Sequence, residues 1–596
     1  MRFLLLSALA VAPVAATAQS FDLGEIVVSP NLEPTALNKV GATVDVVGTT
    51  ALQDAAQGSV VNALAYQPGI TITPKGGVGQ QAYVSVRGAP SFDVAVLVDG
   101  IDVTDPSGPQ VSFDFGHLGT AGIQSIEVLK GSQSALYGSS AVGGVIDITS
   151  RHATEDGVHY YTAAEVGSHK TANLSFATTV KTKDSDLAVT LSHTGTSGTV
   201  GLTGATSNGL DDGYWSNRIA MNGSHTFANG VKLGFAGFAE ANHGEYDPAA
   251  GTAVTAAQKG DTAALRVYAE FTTGAVENTI SATVFRNARD YDRSDYGLYA
   301  LTGTRQKLAY QGAISLGAKT RLVFGADATR ETYADNYGTT IDRRIQGVFS
   351  ELSYSPTDKV DLTASLRDDH QTAFGNAVTG RLAVAWRPSA DVTVRASAGT
   401  GFRAPSPYEL YAPYGTGNPN LTPEKSQSLD FGVEKRFGAD SYLRATAFWL
   451  QAHNLIDFDN TTYAYFQAPG TSRRQGIELE GQTKLGAATL TAAYTYTDSA
   501  ASATTSWAAV PRHALALTLS APLTAKLTGS LSSLSGIARP NGMADYTVVG
   551  AGLGYALTDR VEAYLRVENL FNAKYQLVQN YAAAGRSVYV GIRADF

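Results

Sequence analysis

From about residue 155 to the last residue, 596, the chain alternates apolar and polar side chains with a period of two. Leu265, Val267, Ala269 and Phe271 alternate with Arg266, Tyr268 and Glu270. Val561, Ala563, Leu565 and Val567 alternate with Glu562, Tyr564, Arg566 and Glu568. The chain ends the same way, with Val588, Val590, Ile592, Ala594 and Phe596 set against Tyr589, Gly591, Arg593 and Asp595. Successive side chains of a strand point to opposite faces, so each segment has one apolar and one wet face. A soluble sandwich or solenoid also alternates. Here the pattern is sustained, the wet face carries charge in strand after strand, and 29 tyrosines are available for interfacial girdles. Those features point to an all-β transmembrane barrel with a watery lumen. In hydrocarbon an open sheet edge would leave backbone groups unpaired at several kcal/mol each, so the sheet must close. At roughly 20 residues per strand and connection, this region supplies about 22 antiparallel strands. A barrel that wide encloses a lumen that needs filling.

Residues 31–150 have the character of such a filling. They do not alternate continuously and are dense in turns, such as Arg87-Gly88, Asp99-Gly100, Lys130-Gly131 and Gly143-Gly144. Short strands are predicted at Ala82–Arg87, Val94–Val98, Ile123–Leu129 and Gly144–Thr149, with a helix at Ser59–Tyr66 stopped by Pro68-Gly69. This mixed α/β plug domain is expected inside the lumen. Ahead of it, Arg2, the apolar run Phe3–Ala12 and the small-x-small site Ala16-Thr17-Ala18 form an export signal, residues 1–18. Ten apolar residues are too few to cross ~30 Å of hydrocarbon, so the run is not a membrane anchor. The expected organisation is therefore 1–18 signal peptide, 19–30 N-terminal segment, 31–150 plug and 151–596 barrel.

Several chemistries are excluded. The formal charge is −9, which argues against binding nucleic acid. Cysteine is absent, which removes disulfides, thiolate metal sites and cysteine nucleophiles. Gly312–Thr320 only approximates a phosphate loop, since Ala318 separates the second glycine from the lysine and the context is a strand. No nucleophile–base set stands out, so no enzyme activity and no covalent cofactor are expected. Glu25-Ile26-Val27-Val28-Ser29-Pro30 is a β-prone run ended by proline, suited to adding as a strand to another protein's sheet.

Together these motifs resemble the TonB-dependent receptors of Gram-negative outer membranes. The plug carries VSVRG (Val84–Gly88), VLVDG (Val96–Gly100) and IEVLKGSQSALYGSSAVGGVIDI (Ile126–Ile148). The barrel carries GFRAPSPYELY (Gly401–Tyr411), NPNLTPEKS (Asn418–Ser426), QGIELE (Gln475–Glu480) and NLFNAKY (Asn569–Tyr575). Within the family, the closing segment from Asn569 and the stretch HNLIDFDN (His453–Asn460) are most similar to the cobalamin receptors.

The resemblance implies a monomeric importer in outer-membrane lipid, carrying a large scarce nutrient, most like cobalamin. Alternatives are a ferric-siderophore or haem receptor and, from another class, a passive porin. Haem receptors place a histidine between their FRAP and NPNL boxes, and Arg403–Asn418 contains none. The resemblance also implies that residues 25–30 form the box pulled by TonB, with ExbB and ExbD. It implies calcium on external loops, with Asp211, Asp212, Asp247 and Asp261 at the matching positions. Arg87 and Lys130 follow the plug cations and are expected near Glu478 or Glu480, and near Asp430. Substrate contacts are expected from the plug loop Ala89-Pro90-Ser91-Phe92-Asp93 and from Tyr246, Tyr296, Tyr411 and Tyr414.

Overall fold

The structure, a computed structural model, describes residues 26–27, 31–54, 58–249, 254–412, 415–500 and 510–596. The expected signal peptide and Glu25, Val28, Ser29, Pro30 and Tyr414 lie outside the described residues.

Among the described residues, 22 antiparallel strands follow one another from Gly157–Gly167 to Ser587–Asp595 and close into a single barrel. The first strand pairs with the last, in register from Tyr161 with Asp595 to Gly167 with Tyr589. The terminal Phe596 extends that ladder, exchanging backbone hydrogen bonds of 2.8 Å with Tyr160 in both directions. The seam thus leaves no free edge for lipid to meet.

Alternation places the two faces as the sequence requires. Leu265 and Val267 are exposed on the outer surface while Ala264 between them and the plug is buried. Leu429, Phe431, Ile477, Leu479, Val590 and Ile592 are likewise exposed, on strands far apart around the wall. A band of this extent is far larger than the apolar patches that water tolerates, and it is the lipid face. No described helix is long and apolar enough to cross a membrane; the strands do the crossing. Connections on one rim are tight turns, such as 274–275, 358–359 and 486–487, whereas the other rim carries 197–213, 404–423 and 569–586. Short turns mark the periplasmic rim and long loops the extracellular one.

The plug is built on a five-stranded sheet in the order Val44–Gly48, Ile123–Lys130, Gly144–Ser150, Val94–Val98, Ile101–Asp102. Only the Val94–Val98 and Gly144–Ser150 pair is parallel. A separate hairpin joins Ile70–Pro74 to Ala82–Val86. The helix Val60–Ala65 begins where Ser59 Oγ accepts from Asn62 N–H at 3.2 Å, the capping chemistry that Ser supplies. Four strands and this helix fall where the sequence places them, within a residue at each end. Val44–Gly48, Thr49–Asp54 and Ile70–Pro74 are further elements that the sequence reading does not place, and the two strands among them take their form from a paired neighbour rather than from their own pattern. Val44–Gly48, for example, exists through pairing with Ile126–Leu129 and Ser125.

The plug lies within the barrel. Its core of Val60, Leu64, Val84, Val96, Ile126 and Ile146 runs without a break into Phe238, Ala264 and Phe285 of the wall. Polar contacts reach the wall on many sides, from Asn222 near one end of the chain's circuit to Glu568 near the other.

Candidate functional site

Two regions carry the charge and the space from which function can be argued. The first is an ion network at mid-depth. Val86 and Ala89 form a bridge across Arg87-Gly88, whose φ values of 51° and 76° make a tight turn of the kind that accepts left-handed residues. This turn presents the Arg87 guanidinium to the wall. Its Nε and Nη2 donate to the two carboxylate oxygens of Glu478 at 2.9 and 2.8 Å, and Nη1 donates to Asp430. The ring of Phe448 lies beneath the same guanidinium, 4.6 Å from centre to Cζ. Lys130 Nζ reaches Asp45 at 2.6 Å, Glu478 at 3.2 Å and the carbonyl of Pro68 at 2.6 Å. All these side chains are almost fully buried. Gly69 is required beside them: its φ is +72° and a Cβ there would lie 2.1 Å from Glu478 Oε1.

Of the two expected carboxylates, Glu478 takes Arg87 and Lys130 directly, and Glu480 joins the same network through Arg444 and Asp45. Glu480 pairs with Arg444 and accepts from the Tyr442 hydroxyl at 2.6 Å. Arg444 in turn pairs with Asp45 and donates to the Val44 carbonyl at 2.9 Å. The network therefore contains two members, Asp45 and Arg444, that sequence reasoning missed. Arg444 follows from alternation, being on an inward register position, whereas Asp45 sits in the strand Val44–Gly48, which the sequence reading does not place.

The plug loop Ala89–Asp93, expected to contact substrate, is largely covered by its surroundings. Ala89, Pro90 and Asp93 are buried, and Ser91 and Phe92 half-buried. Phe92 lies against the Arg403 guanidinium, 4.9 Å from ring centre to Cζ. Arg403 donates to Glu409 at 3.0 Å and to Glu424 at 2.6 Å, with Asp93 3.8 Å from its Nε. Burial, then the nearby Glu424, push the Asp93 carboxyl up to about 8. Glu409 belongs to the short helix Pro407–Tyr411, which a full capping box with Ser406 starts. Ser406 Oγ donates to the Pro109 carbonyl at 3.0 Å, tying loop 404–423 to the plug. These residues brace the loop from below rather than line open space.

The second region is the extracellular vestibule. Here the tip of the plug hairpin, residues 75–81, meets the loops. A cavity of about 280 Å³ is bounded by Gly76, Gly77, Val78 and Gln80 of that tip and by Tyr214, Tyr546, Tyr575, Tyr581 and Tyr589 of the wall and loops. Tyr546 and Tyr575 pack with ring centres 5.4 Å apart and planes tilted by 30°, and Arg539 lies over Tyr546 at 5.0 Å. His117, stacked on Tyr214 at 5.3 Å, borders this cavity and its neighbours. A hydrogen bond of 2.6 Å from Gln80 Nε2 to the Glu245 carbonyl closes plug tip to wall.

Of the expected tyrosine contacts, Tyr246 lines an adjoining cavity of about 240 Å³ with Lys75, Gln81 and Tyr291. Tyr296 is 81% exposed at a loop tip and Tyr411 47% exposed at the end of its helix, and neither borders these two cavities. Tyr575 and Tyr581 were not singled out, although both stand in the closing segment that carries the resemblance. Their signal was position: a long loop rich in aromatics directly before the last strand.

The expected calcium positions separate. Asp212 and Asp247 come together beside Glu245, and burial followed by the Asp247 charge pushes the Asp212 carboxyl up to about 7. Asp247 already accepts from Ser207 Oγ, Asn208 N–H and Ala249 N–H at 2.9, 2.7 and 2.9 Å. Asp211 is exposed. Asp261 lies on the outer surface of strand Ala256–Thr273, because the odd-numbered positions there face away from the lumen. Among the described residues no group of three or more ligating side chains is arranged to hold a metal.

Ile26 and Val27 form a short strand on Thr35–Ala36, with Ile26 opposite Ala36 and Val27 opposite Thr35. Directly after it, Glu33 pairs with Arg321 near the periplasmic rim, and Leu32 N–H donates to Glu351 at 3.1 Å. The chain thus enters the barrel from the periplasm.

Two family models match this chain. One, described as TonB dependent receptor-like, beta-barrel, covers residues 151–570, and the other, TonB-dependent Receptor Plug Domain, covers residues 36–145. Among solved structures, the siderophore receptor PirA from Acinetobacter baumannii aligns with a TM-score of 0.79 at 16% identity, over 94% of this chain and 98% of that one. A variant of the ferric enterobactin receptor PfeA from Pseudomonas aeruginosa, in complex with enterobactin, gives 0.78 at 17% identity, over 94% and 100%. The FrpB iron transporter from Neisseria meningitidis gives 0.78 at 14% identity, over 94% and 100%. At such identities the likeness is one of fold.

Proposed function

The chain belongs to the TonB-dependent receptors of the outer membrane, and on that premise we propose that it imports a bulky ferric chelate of low net charge. The observation that carries this reading is the aromatic vestibule above a plug that fills the barrel. Cargo bound there must displace the plug to proceed. The chain offers no nucleotide site, so the work has to come from outside it, through TonB, ExbB and ExbD pulling on residues 25–30.

The cargo class is supported by two lines. The solved proteins named above are described as a siderophore receptor, a ferric enterobactin receptor and an iron transporter. The vestibule and its adjoining cavity also combine the five tyrosines named above with a balanced set of charges, Lys75, Arg293, Arg539 and Arg566 against Asp212, Glu245, Asp247 and Glu568. Three hydroxamates neutralise ferric iron and leave an apolar shell, which tyrosine faces bury well while their hydroxyls stay wet. Cobalamin is the second reading. It draws on the resemblance of the closing segment and on the pairing of Asp212 with Asp247, which a hard cation would bridge with loop carbonyls.

Titration calorimetry on the purified protein separates these readings, using a ferric hydroxamate, a ferric catecholate, haemin and cyanocobalamin, the last with and without calcium chloride. A ferric chelate is expected to bind, and Tyr575→Ala to weaken it roughly tenfold or more, as loss of a buried aromatic contact does. Cyanocobalamin binding that depends on calcium, with no ferric chelate bound, would transfer the function to the second reading.

A further inference from the structure

We propose that cargo passes between plug and wall along one side of the lumen only, and that Arg566 pins that passage shut at rest. The proposal rests on the uptake reading above and adds the route.

The plug is held asymmetrically. On one side of the lumen, from strand Ala256–Thr273 to strand Ala464–Leu485, charged wall residues grip it: Arg289 on Asp105, Arg305 on Asp102, Arg321 on Glu33, Arg444 on Asp45, and Asp430 and Glu478 on Arg87. Around the rest of the wall the plug offers neutral partners. Tyr66 donates to Ser532 at 3.1 Å, Gly69 N–H to Thr495 at 2.7 Å and Asn62 to Glu568 at 3.4 Å. The wall here is made of small side chains, including Ala514, Ala516, Ser530, Ser535, Gly552 and Gly554.

Two cavities, one below the other, lie on this weakly held side, whereas a third of about 360 Å³ borders the paired Arg289 and Asp105 on the gripped side. The vestibule cavity of about 280 Å³ extends down it, and a second cavity of about 370 Å³ lies toward the periplasmic rim. Both are bounded by Gly58, His117, Gly119, Asn173, Thr194 and Arg566, so these six form the septum between them, with Arg566 its buried, paired cation. Arg566 is held there by Glu165, at 2.7 Å from Nε and 2.8 Å from Nη2, and by Glu568, with its guanidinium 3.6 Å over the Tyr589 ring. The plug passes it without a side chain: a Cβ on Gly58 would lie 2.7 Å from Arg566 Nη2. A pull on the plug therefore parts neutral contacts over small residues on this side before it breaks paired charges on the other.

The test reads potassium chloride current through the purified protein in planar bilayers, which requires neither cargo nor TonB. Wild type is expected to stay closed and Arg566→Ala to raise the frequency of open events roughly tenfold or more, because the paired cation of the septum is gone. Arg395→Ala, which removes a guanidinium bonded to the Val40 carbonyl at 3.2 Å on the gripped side, is expected to stay closed. Since the chain has no cysteine, the path can then be mapped in the Arg566→Ala background. A charged thiol reagent should cut the current at Ala516→Cys and Ser530→Cys, one from each cavity, and not at Ser428→Cys across the lumen. A closed Arg566→Ala protein whose barrel is intact by heat-shifted electrophoretic mobility would overturn the proposal. So would block at Ser428→Cys alone. Neither result bears on whether TonB drives uptake.

Discussion

Proline at Val27 is expected to abolish energised uptake and leave cargo affinity unchanged. Val27 lies opposite Thr35 in the short strand at the periplasmic end of the chain. Strand addition to a partner needs a backbone N–H at each ladder position, and proline has none and fixes φ besides. The vestibule is at the other end of the barrel, so the substitution cannot reach the bound ligand. Uptake of a radiolabelled ferric chelate by whole cells, beside calorimetry on the purified variant, measures both quantities. Loss of at least roughly a hundredfold in rate is expected if the ladder carries the pull. Uptake at the wild-type rate would mean that force enters elsewhere.

Glu478→Ala is expected to loosen the plug more than any other single change in the wall. This carboxylate is shared by Arg87, through two bonds, and by Lys130 at 3.2 Å. Its removal leaves Asp430 and Asp45 as the remaining carboxylate partners of two buried cations. Breaking one member out of a buried charge network costs about 3–5 kcal/mol, because the orphaned charge keeps its desolvation penalty. At about 1.4 kcal/mol per tenfold, hydrogen-exchange protection of Ile123–Lys130 should fall by roughly two to four orders of magnitude. The barrel ladder, Gly157–Gly167 with Ser587–Asp595, should keep its protection. Equal loss in both would show that the network stabilises the barrel and not the seating of the plug.

The barrel was legible because its physics is periodic. Lipid outside and water inside force each strand to alternate, and closure follows from the cost of an unpaired edge. Even the strand number follows from length alone. The inward direction of Glu478 was equally plain, since Ile477 and Leu479 on either side are apolar, and both prove exposed on the outer surface. What period two does not encode is which inward charge meets which. Glu480 points inward as expected, yet Arg444 on the neighbouring strand takes it, a pairing set by cross-strand register.

The vestibule was less legible for a related reason. Loop 89–93 has the composition of a surface loop, but Arg403 closes over it and makes it a foundation. Tyr214 and Tyr575 are far apart in sequence and border one cavity only because the barrel closes. Asp261 matched a pattern of loop aspartates, and a strand of 18 residues carried it to the outer wall. Long strands on this side extend where loops were anticipated.

The central claim is that the globular segment sits inside the barrel, and one disulfide tests it. Ser132 of the plug and Ser426 of the wall bring their hydroxyl oxygens to 3.0 Å, and the chain has no other cysteine to interfere. With both changed to cysteine, side chains this close meet the geometry of a disulfide, and export to an oxidising compartment allows it to form. The expected result is full loss of both thiols to a maleimide reagent, restored by reduction, in protein purified from the outer membrane. Two thiols that remain free and reactive in the folded protein would contradict it.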